Sequence, residues 1–401
     1  MNFDTFNLDS RIMGGVRALG YVTPTPIQEK AIPVILQGHD LIGIAQTGTG
    51  KTAAFALPIL QRLLTGPRGV VRVLVVAPTR ELAVQIHEAF LDLGRQTRLR
   101  SVAIYGGVGM SPQVENLRSG AEIAVACPGR LLDHVWRGTI DLSHVEVLVI
   151  DEADRMFDMG FLPDVKSIIQ CITKPHQTLL FSATMPDDIR RLVREAQHNP
   201  VTIQIGHQAP ASSVSHALYP VSQHLKTNLL KEILRRTETE SVLVFTRTKH
   251  RATRVTEQLQ RAGLNAGSLH SNMSQGQRQG ALDGFRTGRL KVLVATDIAA
   301  RGIDVSCISH VINYDMPDTA DAYTHRIGRT GRVDRTGEAF TLVTPEDGKL
   351  VRSIEQVLKA SIERRTLTGF DYNAPPVARE LAPFRQQRAP VRGMRMAFAR
   401  R

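Results

Sequence analysis

Two short segments hold residues whose types and spacing suit phosphate chemistry. Gly48–Thr52 ends a glycine-rich stretch with a lysine and a threonine, and Asp151–Asp154 has three carboxylates within four residues. Backbone N–H groups of a glycine-rich loop form a concave anion site, to which Lys51 adds a positive charge and Thr52 a hydroxyl that can ligate Mg²⁺. The pairing of the two segments is typical of a nucleoside triphosphatase.

The flanking elements place both segments at one edge of a sheet. An apolar strand, 41–45, precedes the glycine-rich loop, a helix begins near residue 51, and the β-branched run 145–150 ends at Asp151. Such a run is typical of a buried parallel strand, and α/β proteins bind ligands at the carboxyl ends of these strands. Ala45 stands where the general phosphate-loop pattern has glycine, so the loop alone could be a surface turn. The flanking strand and helix and the carboxylates after the second strand favour a phosphate loop over a surface turn that has this sequence by chance.

Length, composition and charge narrow the class of protein. The chain has 401 residues, 42% hydrophobic and 22% charged, with a formal net charge of +12. This length predicts two domains and a tail, and the charge favours a polyanionic partner, although a merely well-solvated basic surface has the same composition. The three cysteines are far apart and predict reduced thiols of a cytosolic protein. We expect neither a signal peptide nor a membrane span.

Strand-like and helical stretches alternate in two series. The strand-like runs fall at 41–45, 70–77, 101–105, 122–127, 145–150 and 177–181, then at 241–246, 265–269, 291–295, 308–313 and 338–343. The helical stretches include 51–64, 80–95, 187–197, 224–236, 248–262 and 274–287. This alternation predicts two α/β domains with parallel sheets, 1–206 and 214–375. The polar segment 207–213 is the predicted linker, and 376–401 a disordered basic tail.

Further motifs extend the pattern over residues 3 to about 345. They are Phe3 with Gly20–Gln28, Ala45–Thr52, Pro78–Ala83, Gly106–Gly107, Pro128–Arg130, Asp151–Asp154, Ser182–Thr184, Val244–Arg247, Gln275–Arg278, Ala295–Asp304 and His325–Arg332. In order and spacing they resemble the motifs of DEAD-box ATP-dependent RNA helicases, and within that family the bacterial RhlE-type members. Each motif alone has an ordinary explanation, such as a helix cap or a solvated basic face, but the ordered set does not. The resemblance implies two tandem RecA-like domains joined by a short linker.

The resemblance also implies a role for each matching position. The catalytic positions are Lys51, Asp151, Glu152, Arg329 and Arg332. The positions that bind ATP are Phe3, Gln28, Thr47, Gly48, Thr49, Gly50, Lys51, Thr52 and Asp304. Ser182, Thr184 and His325 couple ATP to strand separation. The positions that contact RNA are Pro78, Thr79, Arg80, Gly107, Gly129, Arg130, Arg247, Gln275, Arg278 and Thr296. Mg²⁺ is expected at Thr52 and Asp151, partly through water.

The implied function is RNA-stimulated ATP hydrolysis, in which closure of two domains separates short duplexes or remodels RNA–protein complexes. RNA is the expected partner, bound mainly through its backbone. Cys127 replaces the threonine usual before Pro128, which puts one hydrogen bond to an RNA phosphate in doubt. Ribosomal and RNA-decay assemblies are candidate complexes, and we expect a cytoplasmic monomer. The basic tail is expected to add nonspecific RNA affinity, with a purely solubilising role as the alternative.

Two rival functions come from other classes. One is a DNA-directed helicase or translocase, against which the adenine-reading segment around Gln28 and the complete Asp-Glu-Ala-Asp sequence argue. The other is an RNA clamp that binds ATP without turnover. The water-orienting Glu152 argues against it, because a protein that only binds ATP has no need of that carboxylate.

Overall fold

Two parallel sheets of seven strands each organise the chain. The computed structural model describes residues 2–45, 48–205, 214–237, 239–300, 308–330, 337–358 and 360–375. The strands of the first sheet are β1 (Leu41–Ile44), β2 (Val73–Val76), β3 (Ser101–Ile104), β4 (Ile123–Ala126), β5 (Val147–Ile150), β6 (Gln177–Ser182) and β7 (Val201–Gln204). Those of the second are β8 (Val214–Pro220), β9 (Val242–Thr246), β10 (Ala266–Leu269), β11 (Val292–Thr296), β12 (His310–Asn313), β13 (Gly337–Val343) and β14 (Glu363–Arg364).

Helices connect the strands and cover the sheets. In the first half they are α1 (Ser10–Ala18), α2 (Pro26–Leu36), α3 (Lys51–Leu63), α4 (Arg80–Leu93), α5 (Ser111–Arg118), α6 (Pro128–Trp136), α7 (Ala153–Asp158), α8 (Leu162–Cys171) and α9 (Asp187–Ala196). In the second they are α10 (Lys226–Arg236), α11 (Lys249–Arg261), α12 (Gln275–Arg286), α13 (Asp297–Ala300), α14 (Ala320–Ile327) and α15 (Gly348–Leu358). Hydroxyl caps fix where two of them begin: Thr79 accepts a hydrogen bond from the backbone of α4, and Ser274 from that of α12.

The two sheets have the same strand order. It is β3-β4-β2-β5-β6-β1-β7 in the first and β10-β11-β9-β12-β13-β8-β14 in the second, so β1 corresponds to β8, β2 to β9 and so on. The described strand pairs, for example β1 with β6 and β8 with β13, are parallel. The residues that follow the strands therefore lie at one edge of each sheet.

Both faces of each sheet are buried. In β2, Val73 and Val75 pack under α3 and α4, whereas Leu74 and Val76 join a second core under α6 and α8. The strand β9 divides its side chains between two cores in the same way. Each fully buried aliphatic side chain stabilises the fold by about 1.5–3 kcal/mol. This two-sided burial explains why the strands are continuous apolar runs in the sequence.

The predicted α/β class and its parallel sheets are confirmed, and every predicted strand lies in one of them. The sequence prediction missed three strands: the mostly exposed β7, the mixed β8 and the two-residue β14. The predicted linker 207–213 and tail 376–401 lie outside the described residues, so the domain limits stay predictions. No described helix is long and apolar enough to cross a membrane.

Candidate active site and nucleic-acid interface

The phosphate loop joins β1 to α3. Gly48 and Gly50 have φ angles of 85° and 90°, a left-handed conformation that glycine adopts without steric cost. Lys51, the first residue of α3, is 6% exposed, and its Nζ donates a hydrogen bond to the Ala45 carbonyl at 3.0 Å. Thr49 lies two residues before this lysine, and the half-buried Thr52 directly follows it. The loop thus has the backbone geometry of an anion site.

The segment predicted to read adenine contacts this loop directly. The Gln28 side chain is 4% exposed, and its Nε2 donates to the Gly50 carbonyl at 3.1 Å while its Oε1 accepts from the Thr25 amide at 2.9 Å. Phe3 is also buried, with the Tyr21 ring stacked on it at a centroid distance of 6.2 Å. Little of the Phe3 ring is left exposed, so its stacking on a base stays a prediction.

Asp151 and Glu152 follow β5 and are both buried. Burial raises the pKa of Asp151 to about 6, although Lys51 opposes this rise. Burial also acts to raise the pKa of Glu152, but Arg155, Lys51 and Arg329 outweigh it and bring that pKa to about 2. Glu152 pairs with Arg155, and its backbone is left-handed, with φ 52°. The carboxylate is therefore ionised and held by a neighbour within its own segment.

Asp154 links this acidic segment to the end of β6. Its Oδ2 accepts hydrogen bonds from the backbone of Ala183 at 3.1 Å and of Thr184 at 2.9 Å, and from the Thr184 hydroxyl at 3.2 Å. The Ser182 hydroxyl accepts from the Asp154 backbone at 3.1 Å and donates to the Thr184 carbonyl at 2.7 Å. Two of the three predicted coupling residues, Ser182 and Thr184, are thus held by the last residue of the acidic segment.

The second half completes the cavity. His325 lies in the last turn of α14, and Arg329 follows that helix. Both line one cavity with Lys51, Glu152 and Arg155. Their neighbour Arg326 faces the second half instead: it pairs with Asp297 at 2.6 Å and donates to the Asn313 side chain at 3.1 Å. His325 and Arg329 therefore face the cavity, whereas Arg326 forms contacts within the second half.

A buried ion pair also joins the two halves. Arg278, the fourth residue of α12, approaches Glu81 Oε1 with its Nε at 2.8 Å and its Nη2 at 2.7 Å. Their side chains are 11% and 5% exposed. Arg278 was predicted to contact RNA, but in this structure its guanidinium binds a carboxylate of the first half.

The first half presents its predicted RNA contacts after β2, β3 and β4. The φ of Gly107 is 82°, which would strain a residue with a side chain, and a Cβ there would lie 2.0 Å from Arg80 Nη1 and displace that guanidinium. Arg130 donates to the Val108 carbonyl at 3.1 Å. Thr79 is 7% exposed and caps α4. Pro78 lies in the loop after β2, and Gly129 in the first turn of α6.

Cys127, which precedes Pro128, has a thiol, a weaker hydrogen-bond donor than a hydroxyl. Burial raises the pKa of its thiol to about 12, and Glu81 adds to this effect. Its side chain packs against the first core. Its backbone N–H is also occupied, since it donates to the Ile104 carbonyl at 2.8 Å.

The second half presents its predicted RNA contacts in the corresponding loops. Arg247 follows β9, is exposed, and lies 3.4 Å from Asp318. Thr296 ends β11, and Gln275 begins α12 with its Oε1 buried and without a hydrogen-bond partner among the described residues. The described RNA-contact positions thus follow strands at the carboxyl edges of both sheets.

Three predicted positions, Thr47, Asp304 and Arg332, lie outside the described residues. Conversely, Asp154, Arg155 and Glu81 contribute contacts to the site although no motif role predicts them. Asp154 and Glu81 lie within two of the motifs described above, and their positions in those motifs are the sequence feature that could have predicted their contacts. Nothing in the sequence marks Arg155 as the partner of Glu152 apart from its i+3 position.

Comparison with known proteins agrees with this geometry. The family profile described as DEAD/DEAH box helicase matches residues 25–192, and the helicase conserved C-terminal domain profile matches residues 225–334. The chain is 43% identical over 373 residues to ATP-dependent RNA helicase DeaD of Buchnera aphidicola, covering 93% of this chain and 62% of that protein. It is 41% identical over 365 residues to DEAD-box ATP-dependent RNA helicase CshA of Bacillus subtilis, covering 91% of this chain and 74% of that protein.

A solved structure supports the same assignment. S. cerevisiae Dbp5 bound to RNA and ADP BeF3 is 30% identical, with a TM-score of 0.82 over 91% of this chain and 95% of that chain. The predicted RecA-like fold is confirmed. The named relatives do not distinguish the RhlE type, which stays a prediction. Family profiles, relatives and fold agree, and the chain belongs to the DEAD-box family of ATP-dependent RNA helicases.

Proposed function

We propose that this chain hydrolyses ATP in an RNA-stimulated manner and locally separates short RNA duplexes, or remodels RNA–protein complexes, by closure of its two halves. The observation that carries the proposal is the cavity in which Lys51 and Glu152 of the first half meet His325 and Arg329 of the second. Transfer of the γ-phosphoryl group to water depends mainly on positioning and charge neutralisation. Because both halves supply those charges, hydrolysis depends on closure.

The phosphate loop and the acidic segment hold the substrate in this proposal. Lys51 and the loop amides bind the β- and γ-phosphates. Asp151 is a fully buried carboxylate beside a single lysine, and the Thr52 hydroxyl lies one residue beyond that lysine. These two groups fit Mg²⁺, a cation that prefers oxygen ligands and takes the remainder from phosphates and water. When bound, the ion would neutralise phosphate charge.

Glu152 orients the attacking water, and Arg329 stabilises charge on the equatorial oxygens. An arginine in that position is worth roughly 10³–10⁵ in rate. Arg332, in the same motif, is proposed as a second such group. Since Glu152 pairs with Arg155 here, its carboxylate must turn from that arginine to the water when the site is loaded.

The remaining positions recognise the base and the RNA. Phe3 and Gln28 are proposed to read adenine, with Thr47 and Asp304 completing the nucleotide site. Ser182, Thr184 and His325 are proposed to transmit closure. RNA bridging the loops of both halves would favour the closed form, so ATP and RNA would each tighten the binding of the other.

Glu152→Gln tests the role assignment. It should lower turnover by at least about 100-fold, the scale of a positioned acid–base group, while leaving the ATP and RNA dissociation constants nearly unchanged. Lys51→Ala should instead weaken ATP binding. Glu195→Gln is the matched control, because Glu195 is an exposed carboxylate paired with Lys166 at 2.8 Å. Equal loss of ATP affinity in Glu152→Gln and Lys51→Ala would contradict the assignment.

We also propose that the chain is an RhlE-type, monomeric, cytoplasmic member that acts on RNA within ribosomal or RNA-decay assemblies. The net charge of +12 supports a polyanionic partner. ATPase rates with a panel of RNAs and matched DNAs decide between an RNA helicase and a DNA translocase. A negligible rate with every nucleic acid would favour the nonenzymatic clamp.

A further inference from the structure

The first sheet ends in an edge strand with a groove beside it. The strand β3 is outermost and, among the described strands, pairs with β4 alone. The helices α4 and α5 pack on either side of it and leave a groove of about 640 Å³ along the strand. Apolar side chains form much of its wall, among them Val84, Leu91, Leu99 and Pro112.

The outer backbone groups of β3 face this groove. The carbonyls of Arg100 and Ile104 accept hydrogen bonds from the chain of β4, at 3.1 Å from the Ile123 amide and 2.8 Å from the Cys127 amide. Because successive residues of a parallel edge strand turn their N–H and C=O groups to opposite sides, those of Ser101 and Ala103 point away from the sheet. The described residues make no hydrogen bond to these outward groups.

At the amino end of β3 the groove meets a pocket of about 820 Å³, with which it shares Arg100 and Ser119. The charged side chains that line this pocket are Arg11, Arg68, Arg98, Arg100 and Glu122. Arg11 pairs with Asp9 and Arg68 with Glu122, whereas no ion pair of the described residues involves the exposed Arg98 or Arg100. The pocket therefore has a surplus of positive charge.

Glu122 fixes the shape of this arginine pocket. It is 2% exposed and accepts hydrogen bonds from Arg68 Nε at 2.8 Å and from the backbone of Gly69 at 3.0 Å and Arg100 at 2.8 Å. The two glycines behind it, Gly69 and Gly120, pack so closely that a Cβ on Gly120 would lie 3.0 Å from Gly69. Three segments of the chain are held together at this point.

We propose that β3 binds an extended segment of a partner protein, which adds a strand to the sheet and places acidic side chains in the arginine pocket. Peptides that add to a sheet edge gain affinity from backbone hydrogen bonds and specificity from pockets for alternate side chains. A nucleic-acid strand would need positive charge along its whole path, since each nucleotide carries a phosphate. The groove has a single arginine, Arg100, at one end, and apolar side chains, hydroxyls, amides and one histidine elsewhere, so its chemistry fits a peptide.

Substitutions at Ala103 distinguish strand addition from binding by charge attraction alone. Ala103→Pro removes the outward N–H and leaves the bonds to β4 in place, since proline is tolerated on a strand edge that faces solvent. Ala103→Ser keeps the N–H and is the matched control. The double variant Arg98→Glu with Arg100→Glu reverses the charge at the pocket. None of these residues belongs to the proposed ATP or RNA site.

The probe is a displayed library of random peptides of about nine residues, long enough to span the strand and the pocket. Peptides selected on the full chain are measured by fluorescence anisotropy, and amide hydrogen exchange is followed at Ser101 and Ala103. We expect selected peptides with acidic residues at one end and protection of both amides. Affinity should fall about tenfold or more in Ala103→Pro and in the charge-reversed variant, and stay unchanged in Ala103→Ser.

Thermal midpoint and RNA-stimulated ATPase rate serve as folding controls for every variant. The proposal would be overturned if no peptides were selected or if the selected peptides were neutral or basic. It would also be overturned if a correctly folded Ala103→Pro variant bound them with full affinity. Protection of the same amides by single-stranded RNA instead would assign the groove to the nucleic acid.

Discussion

Removal of Arg278 should act on closure of the two halves. Arg278→Ala leaves the Glu81 carboxylate buried without its partner when the halves meet, and we expect separation of the halves to expose this carboxylate to water. Breaking a buried pair from one side costs about 3–5 kcal/mol. Since 1.4 kcal/mol is a factor of ten, even the lower end of that range reduces the closed population roughly 100-fold.

The assay is the ATPase rate as a function of RNA concentration at saturating ATP. The RNA concentration that gives half-maximal stimulation should rise roughly 100-fold in Arg278→Ala, because RNA must supply the missing closure energy. Arg286→Ala is the matched control on the same helix: its guanidinium lies 3.9 Å from Asp283 and is 35% exposed. This partly exposed pair should contribute little, so the control should shift the curve less than about twofold.

Arg278 is also a proposed RNA contact, and a double-mutant cycle with Glu81→Gln separates the two effects. The cycle should give a coupling energy of about 1–3 kcal/mol. A shift below about threefold in Arg278→Ala, or a coupling energy below about 0.5 kcal/mol, would show that this ion pair does not control closure.

Three further predictions concern other parts of the chain. Gln28→Ala should narrow the preference for ATP over GTP in unwinding assays; equal unwinding with GTP in the intact protein would remove adenine reading from the proposal. Truncation of 376–401 should weaken RNA binding and flatten its salt dependence, by roughly 0.7 in the logarithmic slope per lost phosphate contact, with little change in the ATPase rate at saturating RNA. Glu122→Gln should lower stability by about 1.5–3 kcal/mol, the worth of hydrogen bonds to a charged group, measured by urea unfolding. Burial opposes ionisation of Glu122, but its hydrogen bonds from Arg100, Gly69 and Arg68 lower its pKa below the usual 4.5. The intact protein should therefore lose this stability as the pH falls through the lowered pKa. The Glu122→Gln variant should lose less stability over the same pH range.

The central strands and the phosphate loop were predictable because their physical causes are local. A strand buried on both faces must be a continuous apolar run, as in Val73–Val76, and a left-handed loop favours glycine, as at Gly50. The strands β7 and β14 lie at sheet edges, where one side of the strand is unpaired. Their side chains are mostly exposed, so no apolar run marked them.

The tertiary pairs of the site could not be predicted from local sequence. Glu81 and Arg278 are 197 positions apart, and each is an ordinary charged residue in its own motif. The pairing of Glu152 with Arg155 spans only three positions, but it occurs beside a left-handed backbone at Glu152 that a non-glycine residue gives no reason to predict. The near-complete burial of Phe3 likewise depends on Tyr21, from a different segment.

The repeated strand order allows the proposed nucleotide-binding lysine of the first half to be compared with its counterpart in the second. Lys226 begins the helix after β8, as Lys51 begins the helix after β1, so the two lysines have corresponding places. Lys226 Nζ donates to the Tyr314 carbonyl at 3.1 Å, and burial lowers its pKa. No glycine-rich loop precedes it, because Ser222–Leu225 stands there instead. The second half therefore has a corresponding lysine without a phosphate loop before it, and we expect one ATP for each chain and each cycle of closure.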